Sequence, residues 1–304
     1  MKRLYIFLAF FLLITVAKTN AQQDPQYTQY MYNMQVVNPA YAGSKEHMEV
    51  GLLYRKQWSG FTGAPETFTF SAHSPIGEKT GLGLSAISDQ IGPVKETNVY
   101  ADFSYTIGLG GEHKLAFGVK AGATFHDVGL FSDFDGKLQQ NGDDAFSEDI
   151  NNTYANFGAG FLYYTNKYYV GLSVPNMLKT VHLDYNGIEY GNEETHFFAT
   201  AGYVFDLSQN TKFKPSTLVK GSFDSPLSFD VNANFLFYDR FEIGASYRFD
   251  DAVSGLVSVR ATDWIQVGFA YDHTVSDIKD PSYEAFVLFD IIFNKKTYLS
   301  PRYF

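Results

Sequence analysis

The residue types that most often carry chemistry are sparse in this chain and do not group into a known site. The sequence has seven histidines and no cysteine. The histidines are His47, His73, His113, His126, His182, His196 and His273. None has the His-x-His or His-Glu-x-x-His spacing that would bring zinc ligands together. Without cysteine there are no disulfides, thiolate metal sites or cysteine nucleophiles. We therefore predict no metal site.

Motifs of hydrolases and nucleotide-binding proteins are also missing. The sequence has neither a Gly-x-Ser-x-Gly nucleophile motif nor a phosphate-binding loop. Glycine pairs such as Gly81 and Gly83 fall inside strand patterns, and no helix follows them as a dinucleotide fingerprint requires. His73, His273 and Asp272 are too scattered to define an acid–base set. We predict that the chain is not an enzyme, with no catalytic residue and no cofactor.

The segment from Asp127 to Thr153 is strongly acidic. Its acidic residues include Asp133, Asp135, Asp143, Asp144, Glu148 and Asp149. Carboxylates bind calcium, but their spacing here differs from that of a calcium loop, so a solvated acidic surface is the favoured interpretation. Together with Leu178–Thr195 this is the largest predicted loop, and such loops carry specificity in proteins with a rigid scaffold. We predict that Asp143 and Asp144 contact a partner.

Composition indicates a protein made of strands. Aromatic residues make up 17% of the chain and charged residues only 18%, against about 25% in ordinary soluble domains. Aromatic side chains suit a pleated sheet, and their abundance argues against disorder. The net charge of −10 lacks the basic footprint of a nucleic-acid-binding protein.

The first 21 residues have the pattern of an export signal. Lys2 and Arg3 precede an apolar stretch from Leu4 to Ala17, and we expect cleavage after Ala21. The alternative is an N-terminal membrane anchor, but this stretch is shorter than the roughly 20 residues of a spanning helix. Cleavage would remove three basic residues and no acidic one, so the net charge of the mature chain would become −13.

Apolar and polar residues alternate along most of the remaining chain. In residues 229–237, for example, Phe229, Val231 and Phe235 alternate with Asp230 and Asn232. Such a period of two places each set on one face of a strand. The pattern predicts fourteen strands, at 47–57, 66–75, 80–88, 96–108, 113–126, 154–165, 168–175, 196–207, 212–221, 226–238, 241–249, 253–261, 264–273 and 282–293. Pro215 weakens the ninth strand, because proline has no N–H for the ladder.

The lengths of the connections predict how these strands are arranged. Every second connection is short, as in Ile76–Lys79 and Asp239–Arg240, whereas the long ones at 127–153 and 176–195 fall between them. One end of the sheet therefore has tight turns and the other long loops, which is typical of a transmembrane antiparallel up-and-down β-barrel in the outer membrane. A soluble sandwich or propeller is the competing architecture. We favour the barrel, with residues 47–293 as its wall, in contact with outer-membrane lipid, and 294–304 as a periplasmic tail.

Residues 22–46 form a lead-in segment that has no strand pattern. This segment contains Tyr27, Tyr30 and Tyr32 among polar residues, with Met31 and Met34 beside them. In a barrel it would begin in the periplasm and pack under or into the lumen. A second interpretation is a docking strip, because exposed tyrosine and methionine are common at interfaces. On that interpretation Tyr27, Tyr30 and Tyr32 contact a partner.

The same lead-in segment carries a family resemblance. It reads DPQYTQYMYNMQVVNPAYAGS, and it is followed by LLYRKQWSGFTGAPETFTFSAHSPIG at 52–77 and NFGAGFLYYTNKYYVGLSVPNML at 156–178. With GLGLSAISDQIGPV at 81–94 and the final SPRYF, these strings resemble the PorP/SprF family over nearly the whole mature chain. The resemblance implies an outer-membrane barrel of the type IX secretion and gliding-motility machinery. It also implies exported cargo, bound through the cargo's C-terminal domain, and other secretion components as partners.

Two aromatic residues in the first predicted outer loop have open roles. Trp58 and Phe61 lie in WSGFTGAP, and either could anchor cargo or belong to an aromatic girdle. We favour the girdle for Trp58 and leave both roles open for Phe61, which we include among the predicted partner contacts. Three functions remain: a secretion partner that binds exported protein, a passive pore or small-molecule transporter, and a rim hydrolase. Because a fourteen-stranded barrel is too narrow for a folded protein, we expect it to dock cargo without conducting it.

Overall fold

The computed structural model of the protein describes residues 26–129, 150–178, 181–185, 188–192, 195–222, 226–276 and 280–292. Some of the sequence predictions fall outside the described residues: the signal at 1–21, Asp143, Asp144 and the tail at 294–304. Within the described ranges, every helix is too short or too polar to qualify as a membrane span.

Strands account for nearly all of the described chain. They are β1 (Met48–Lys56), β2 (Glu66–Pro75), β3 (Thr80–Ile91), β4 (Val94–Gly110), β5 (His113–Val128), β6 (Ile150–Tyr164), β7 (Tyr168–Val174), β8 (Val181–Tyr185), β9 (Ile188–Asn192), β10 (His196–Tyr203), β11 (Phe205–Ser208), β12 (Thr211–Ser222), β13 (Ser228–Phe237), β14 (Phe241–Arg248), β15 (Ala252–Arg260), β16 (Ile265–Thr274) and β17 (Ser282–Ile291). Before β1 lie two 3₁₀ turns, Tyr30–Tyr32 and Pro39–Tyr41, and one helical turn, α1 (Met34–Val37).

The main sheet closes on itself. Strand β1 pairs with β2 on one side and with β17 on the other, and β10 pairs with both β7 and β12. All of these pairings are antiparallel, and neighbours in the wall follow chain order. Because the short β11 continues the line of β10 beside β12, the wall has fourteen strands. The predicted barrel is confirmed, and the sandwich alternative is wrong.

The distribution of apolar and polar side chains between the two faces of the wall is the reverse of that in a soluble protein. In β15, Val253 and Val257 are 46% and 41% exposed, whereas Ser254 and Arg260 are buried. Among the largest fully buried side chains are Arg55 and Lys120, which point into the lumen. The apolar face therefore points outward, the side on which outer-membrane barrels contact lipid, and the polar face lines the interior.

Aromatic rings form bands on the lipid face at both ends of the wall. Near the short turns a chain of ring contacts joins neighbouring strands, with centroid separations from 4.3 to 6.1 Å. Its members are Tyr163, Tyr168, Tyr203, Phe205, Phe213 and Phe235. Toward the other end lie Phe229 with Phe249, and Tyr271 with Tyr283. Amphipathic rings are favoured at both membrane interfaces, so these bands account for much of the aromatic excess.

The two ends of the barrel differ as the sequence predicts. The connections at 76–79, 111–112, 165–167, 209–210, 238–240 and 261–264 all lie at one end and are short. The connections at 57–65, 129–149 and 175–195 lie at the other. We call the first the periplasmic end and the second the outer end, because outer-membrane barrels have short periplasmic turns and longer surface loops.

Wall height varies around the barrel. Strands β4, β5 and β6 have 17, 16 and 15 residues, whereas β7 and β10 have 7 and 8. Within the long β7–β10 connection, which the sequence analysis treats as a plain loop, β8 and β9 form a separate hairpin. The barrel therefore has one tall side and one low side at its outer end.

Pro215 lies within β12 at a break in the ladder. Gly202 pairs with Ser216 on one side of the break, and Phe205 pairs with Phe213 on the other. Between them, Tyr203 lies opposite Pro215, which has no N–H to donate, whereas the backbone N–H of Val204 donates to the carbonyl of Lys167 on the β7 side at 2.7 Å. A residue without an N–H is tolerated at such an interruption, and this break divides the predicted strand 196–207 into β10 and β11.

Candidate functional site

The lumen is occupied by residues 26–44, which we call the lumenal segment. Every residue from Tyr27 to Ala42 is buried. Gln26 lies beside Ser228 and Arg248, at the outer ends of β13 and β14. At its other end Gly43 lies against Gly81 in β3, next to a periplasmic turn. The segment therefore runs through the lumen from the outer end to the periplasmic end and then continues into β1.

A buried ionic cluster holds the outer half of the lumenal segment. Arg55 contacts Asp272 at 2.8 Å and Glu284 at 3.1 Å, and all three side chains are almost fully buried. Glu284 accepts the backbone N–H groups of Thr28 at 3.0 Å and of Gln29 at 2.7 Å. The Thr28 hydroxyl donates to Asp272 at 2.7 Å and accepts from Arg55 at 3.1 Å. One cation and three hydrogen-bond donors thus compensate two carboxylates, as burial of charge requires.

Tyrosine hydroxyls form the next set of contacts. The Tyr30 hydroxyl donates to Ser216 and accepts from the Asn232 amide, both at 3.1 Å. The Tyr32 ring stacks on Phe286 with centroids 4.3 Å apart. The segment is therefore bound by side chains from strands on the β12–β17 side of the wall.

Glycines in β3, β5 and β6 allow the periplasmic half of the segment to pack closely against the wall. A Cβ atom on Gly118 would lie 2.1 Å from the backbone nitrogen of Ala40, and one on Gly160 would lie 2.1 Å from the Asn38 side chain. The Asn38 amide donates to the carbonyl of Phe161 at 2.9 Å, so the approach ends in a specific hydrogen bond. Any larger residue at these two positions would collide with the segment.

Polar contacts complete the binding of α1. The Gln35 amide donates to Asp102 at 2.9 Å and to the Leu84 carbonyl at 3.1 Å. The Lys120 ammonium donates to the Val36 carbonyl at 2.9 Å. The wall thus binds α1 through the Gln35 side chain and the Val36 backbone.

Several other lumen-facing charges are paired with one another. Arg248 binds Asp230 at 3.0 Å, Lys214 binds Glu242 at 2.8 Å, and Arg260 binds Asp290 at 2.6 Å. Near the periplasmic end, Lys45 pairs with Glu49, and His47 contacts Asp290 at 2.9 Å. These ion pairs line the interior around the lumenal segment.

The histidines and carboxylates do not assemble a catalytic or metal site in the described residues. His73 lies near Glu49 at the periplasmic end, Asp272 is bound to Arg55 at the outer end, and His273 lies on the lipid-facing side of β16. Within the described ranges no three His, Asp or Glu side chains are grouped as metal ligands.

The predicted partner-contact residues have different locations. Tyr27, Tyr30 and Tyr32 are at most 8% exposed and face the lumen, so a partner could reach them only if the segment moved. Phe61 is 49% exposed in the 57–65 loop at the outer end. Their role in partner contact stays a prediction, as it does for Asp143 and Asp144.

The 57–65 loop that carries Phe61 is held in place at both sides. The backbone N–H of Trp58 donates to the Ser282 hydroxyl at 3.1 Å, and that of Gly92 donates to the Gly63 carbonyl at 3.0 Å. Trp58 itself is half-buried and has a φ of 44°, a conformation that few residues other than glycine adopt. The loop thus presents the Phe61 ring on a fixed frame.

Sequence reasoning did not identify Arg55, Glu284, Gly118 or Gly160 as ligands of the segment. The available signal was polar or glycine residues at lumen-facing positions of apolar strands. That signal marks the inner face without saying which groups meet the segment.

Comparisons with known proteins agree on a membrane barrel. Residues 19–289 match the family described as "Type IX secretion system membrane protein PorP/SprF". No curated protein matches the sequence.

Solved structures with a similar fold include the CymD monoaromatic hydrocarbon channel, at 13% identity and a TM-score of 0.53, covering 88% of this chain and 94% of that one. The toluene transporter TbuX of Ralstonia pickettii has 12% identity and a TM-score of 0.52, with 87% and 93% covered. The P. putida toluene transporter TodX has 9% identity and a TM-score of 0.50, with 86% and 94% covered. At such identities the likeness concerns the fold alone.

Proposed function

Because the chain belongs to the PorP/SprF family of type IX secretion system membrane proteins, we propose that it supports secretion or surface attachment of exported, adhesin-like proteins by binding their C-terminal domain. The protein is an outer-membrane β-barrel that interacts with other components of that secretion system. Its role is to bind, without enzymatic activity.

The occupied lumen is the observation that carries this proposal. The lumenal segment crosses the interior and is held by Arg55, Asp272 and Glu284 at one end and by the wall glycines at the other. Release of the segment would remove three hydrogen bonds that Thr28 and Gln29 donate to the buried carboxylates of Asp272 and Glu284. Hydrogen bonds to charged groups contribute about 1.5–3 kcal/mol each, so such a segment does not leave spontaneously. A barrel filled in this way supports docking at its outer face better than passage of a protein through its lumen.

The outer face offers a surface suited to docking. Phe61 is exposed on a loop fixed to the β16–β17 connection and to the β3–β4 turn. Strands β4–β6 rise beside it as the tall side of the barrel. Exposed aromatic residues on a rigid frame are the usual centres of protein interfaces.

The test is deletion of the gene, followed by proteomics of the cell surface and the medium. We expect loss of one or a few large exported proteins, restored by the native gene. A complementing gene with Phe61→Ala should restore the barrel but not those proteins. Tyr238→Ala, which removes an aromatic ring 71% exposed at the periplasmic end, is the matched control and should restore both.

A passive pore or small-molecule transporter is the second candidate, favoured by the fold likeness to the hydrocarbon channel and the toluene transporters. The same deletion separates the two. Unchanged secretion together with reduced uptake of a small solute would reject cargo binding in favour of transport.

A further inference from the structure

The outer half of β6 has a neighbouring strand on only one side in the described part of the chain. Strand β6 pairs with β5 over its whole length, from Ile150 to Tyr164, but it pairs with β7 only from Ala159 to Tyr164. The β8–β9 hairpin, which follows β7, forms a sheet of its own. Within the described ranges, β6 is therefore an edge strand between Ile150 and Asn156.

The side chain of Asn156 marks the point where pairing with β7 stops. Its Oδ1 atom accepts the backbone N–H groups of Phe157 at 2.8 Å, Met177 at 3.1 Å and Leu178 at 3.2 Å. The Met177 N–H also donates to the Phe157 carbonyl at 2.8 Å. The last groups of the β6–β7 contact are thus satisfied, and the open edge of β6 begins above them.

Three residues of β6 direct their backbone groups toward the open side. The Phe157 carbonyl points to the β7 side, and the backbone groups of a strand alternate in direction from one residue to the next. The N–H and C=O groups of Ala155, Thr153 and Asn151 therefore point the same way. They lie along about 13 Å of strand, at about 3.3 Å per residue. We call these three residues the β6 edge.

The β6 edge lies above the apolar band of the wall. On the outward face of β6, Phe157 and Phe161 are each 51% exposed, whereas Asn151 and Thr153 place exposed polar side chains on the same face. Open sheet edges do not occur in the hydrocarbon region, because their N–H and C=O groups would lack partners there. The edge is therefore in water on the outer side of the membrane.

The sequence of this stretch does not protect it against pairing. Edges that stay free are commonly protected by lysine, proline or a bulge. Residues 150–156 read INNTYAN, without lysine or proline, and their register with β5 has no shift. Threonine and tyrosine also favour strands. The β6 edge thus has the features of a strand that receives a neighbour.

The low side of the barrel gives access to the β6 edge. Strand β7 ends at Val174, and β10, the next strand of the wall, begins at His196, which pairs with Ser222 at the end of β12. Because these strands stop below the edge, no described wall strand stands beside it at that height. An extended chain can therefore lie on top of β7 and continue the wall as an added strand.

A second copy of this chain does not fit the β6 edge. Two copies in one membrane have the same orientation, so their β6 strands run in the same direction. Two identical edges can pair in one sheet only when their strands run antiparallel. Pairing of β6 with β6 would therefore require one barrel to be inverted in the membrane.

We propose that the β6 edge binds an extended strand of the exported protein by β-strand addition. The backbone of that strand pairs with Asn151, Thr153 and Ala155, as in other complexes formed at an open sheet edge. This inference rests on the proposed function, since it names the part of the barrel that holds the C-terminal domain. The edge faces the outside of the cell, which is where an exported protein is retained.

Proline variants of the β6 edge test the proposal in cells that lack the gene. Thr153→Pro removes the central N–H and places a ring in the path of the added strand, while pairing with β5 is kept because this N–H points away from β5. Thr153→Pro and Ala155→Pro should each lower the surface amount of the gene-dependent exported proteins about tenfold relative to the native gene. Thr153→Ala changes only the side chain and should restore them.

The outcomes separate this inference from the proposed function. Heat-modifiable gel migration identifies the variants that are folded barrels in the outer membrane. Full restoration of the exported proteins by a folded proline variant would overturn strand addition and leave the proposed function intact. Deletion of the gene without loss of any exported protein would instead reject the proposed function, and the added strand with it.

Amide hydrogen exchange tests the edge without any substitution. NMR on the purified full-length protein in detergent micelles follows exchange at single backbone N–H groups. The Thr153 N–H should exchange at least about tenfold faster than that of Phe161, which pairs with Leu172 in β7. Equal protection of the two would show that another part of this chain already covers the edge, and would overturn the proposal.

Discussion

Arg55 is the residue whose loss should most weaken the hold on the lumenal segment. It is 1% exposed and contacts both Asp272 and Glu284. In Arg55→Met two carboxylates remain buried side by side without their cation. Removing one partner of a buried ion pair typically costs about 3–5 kcal/mol, and we expect the free energy of unfolding to fall by that amount.

A charge-free variant separates pairing from packing. Arg55→Met combined with Asp272→Asn and Glu284→Gln removes all three charges, while the single amide oxygen introduced at position 284 can still accept from one of the two backbone N–H groups, that of Thr28 or that of Gln29. Replacing a buried ionic cluster by neutral groups is often close to neutral in stability. The triple variant should therefore be more stable than Arg55→Met alone by at least about 2 kcal/mol.

The assay is reversible urea unfolding of the barrel in lipid vesicles. The fluorescence of the two tryptophans, Trp58 and Trp264, reports the transition, and the free energy follows by linear extrapolation. Single-channel recording on the same variants should show that Arg55→Met conducts more ions than the native barrel, because the outer half of the segment is released. An unchanged free energy for Arg55→Met, or a triple variant less stable than the single one, would refute this account of the cluster.

Two further predictions concern the packing of the lumenal segment against the wall and the direction in which it runs. Gly118→Val should lower the free energy of unfolding by about 1–3 kcal/mol, because the new side chain collides with Ala40. Gly255→Val should change it by less than about 0.5 kcal/mol, because an added Cβ there meets no atom within 4 Å. Equal effects of the two substitutions in urea unfolding would contradict the close packing of the segment against Gly118. The chain has no cysteine, so single-cysteine variants can be labelled on intact cells with a membrane-impermeant maleimide. Gln26→Cys should react from outside and Glu46→Cys only after the outer membrane is permeabilised, and the opposite pattern would show that the segment runs the other way.

The wall was predictable from sequence because a barrel strand repeats every two residues. All fourteen wall strands match predicted runs, and the alternation of Phe229 and Val231 with Asp230 assigned the two faces correctly. The break between β10 and β11 lies opposite Pro215, in the strand that the sequence analysis expects this proline to weaken.

The contacts of the lumenal segment were beyond reach of sequence patterns. Its tyrosines were compatible both with a lumenal position and with a docking strip, since the segment has no period. Glu284 meets Thr28 across a separation of 256 residues, and only the register of β1 with β17 brings them together. Local patterns fix which face a residue occupies, but not its height in the wall relative to a distant segment.

The position of the ionic cluster has a consequence for assembly of the barrel. Arg55 belongs to β1, whereas Glu284 belongs to β17, and these strands meet along the seam that joins the first strand of the wall to the last. Glu284 also holds the backbone of the segment that directly precedes β1. When β1 pairs with β17 and closes this seam, Arg55, Glu284 and the lumenal segment therefore come into contact in a single step. A nascent barrel in which β1 and β17 are not yet paired lacks these contacts. Binding of the lumenal segment and closure of the wall therefore occur together.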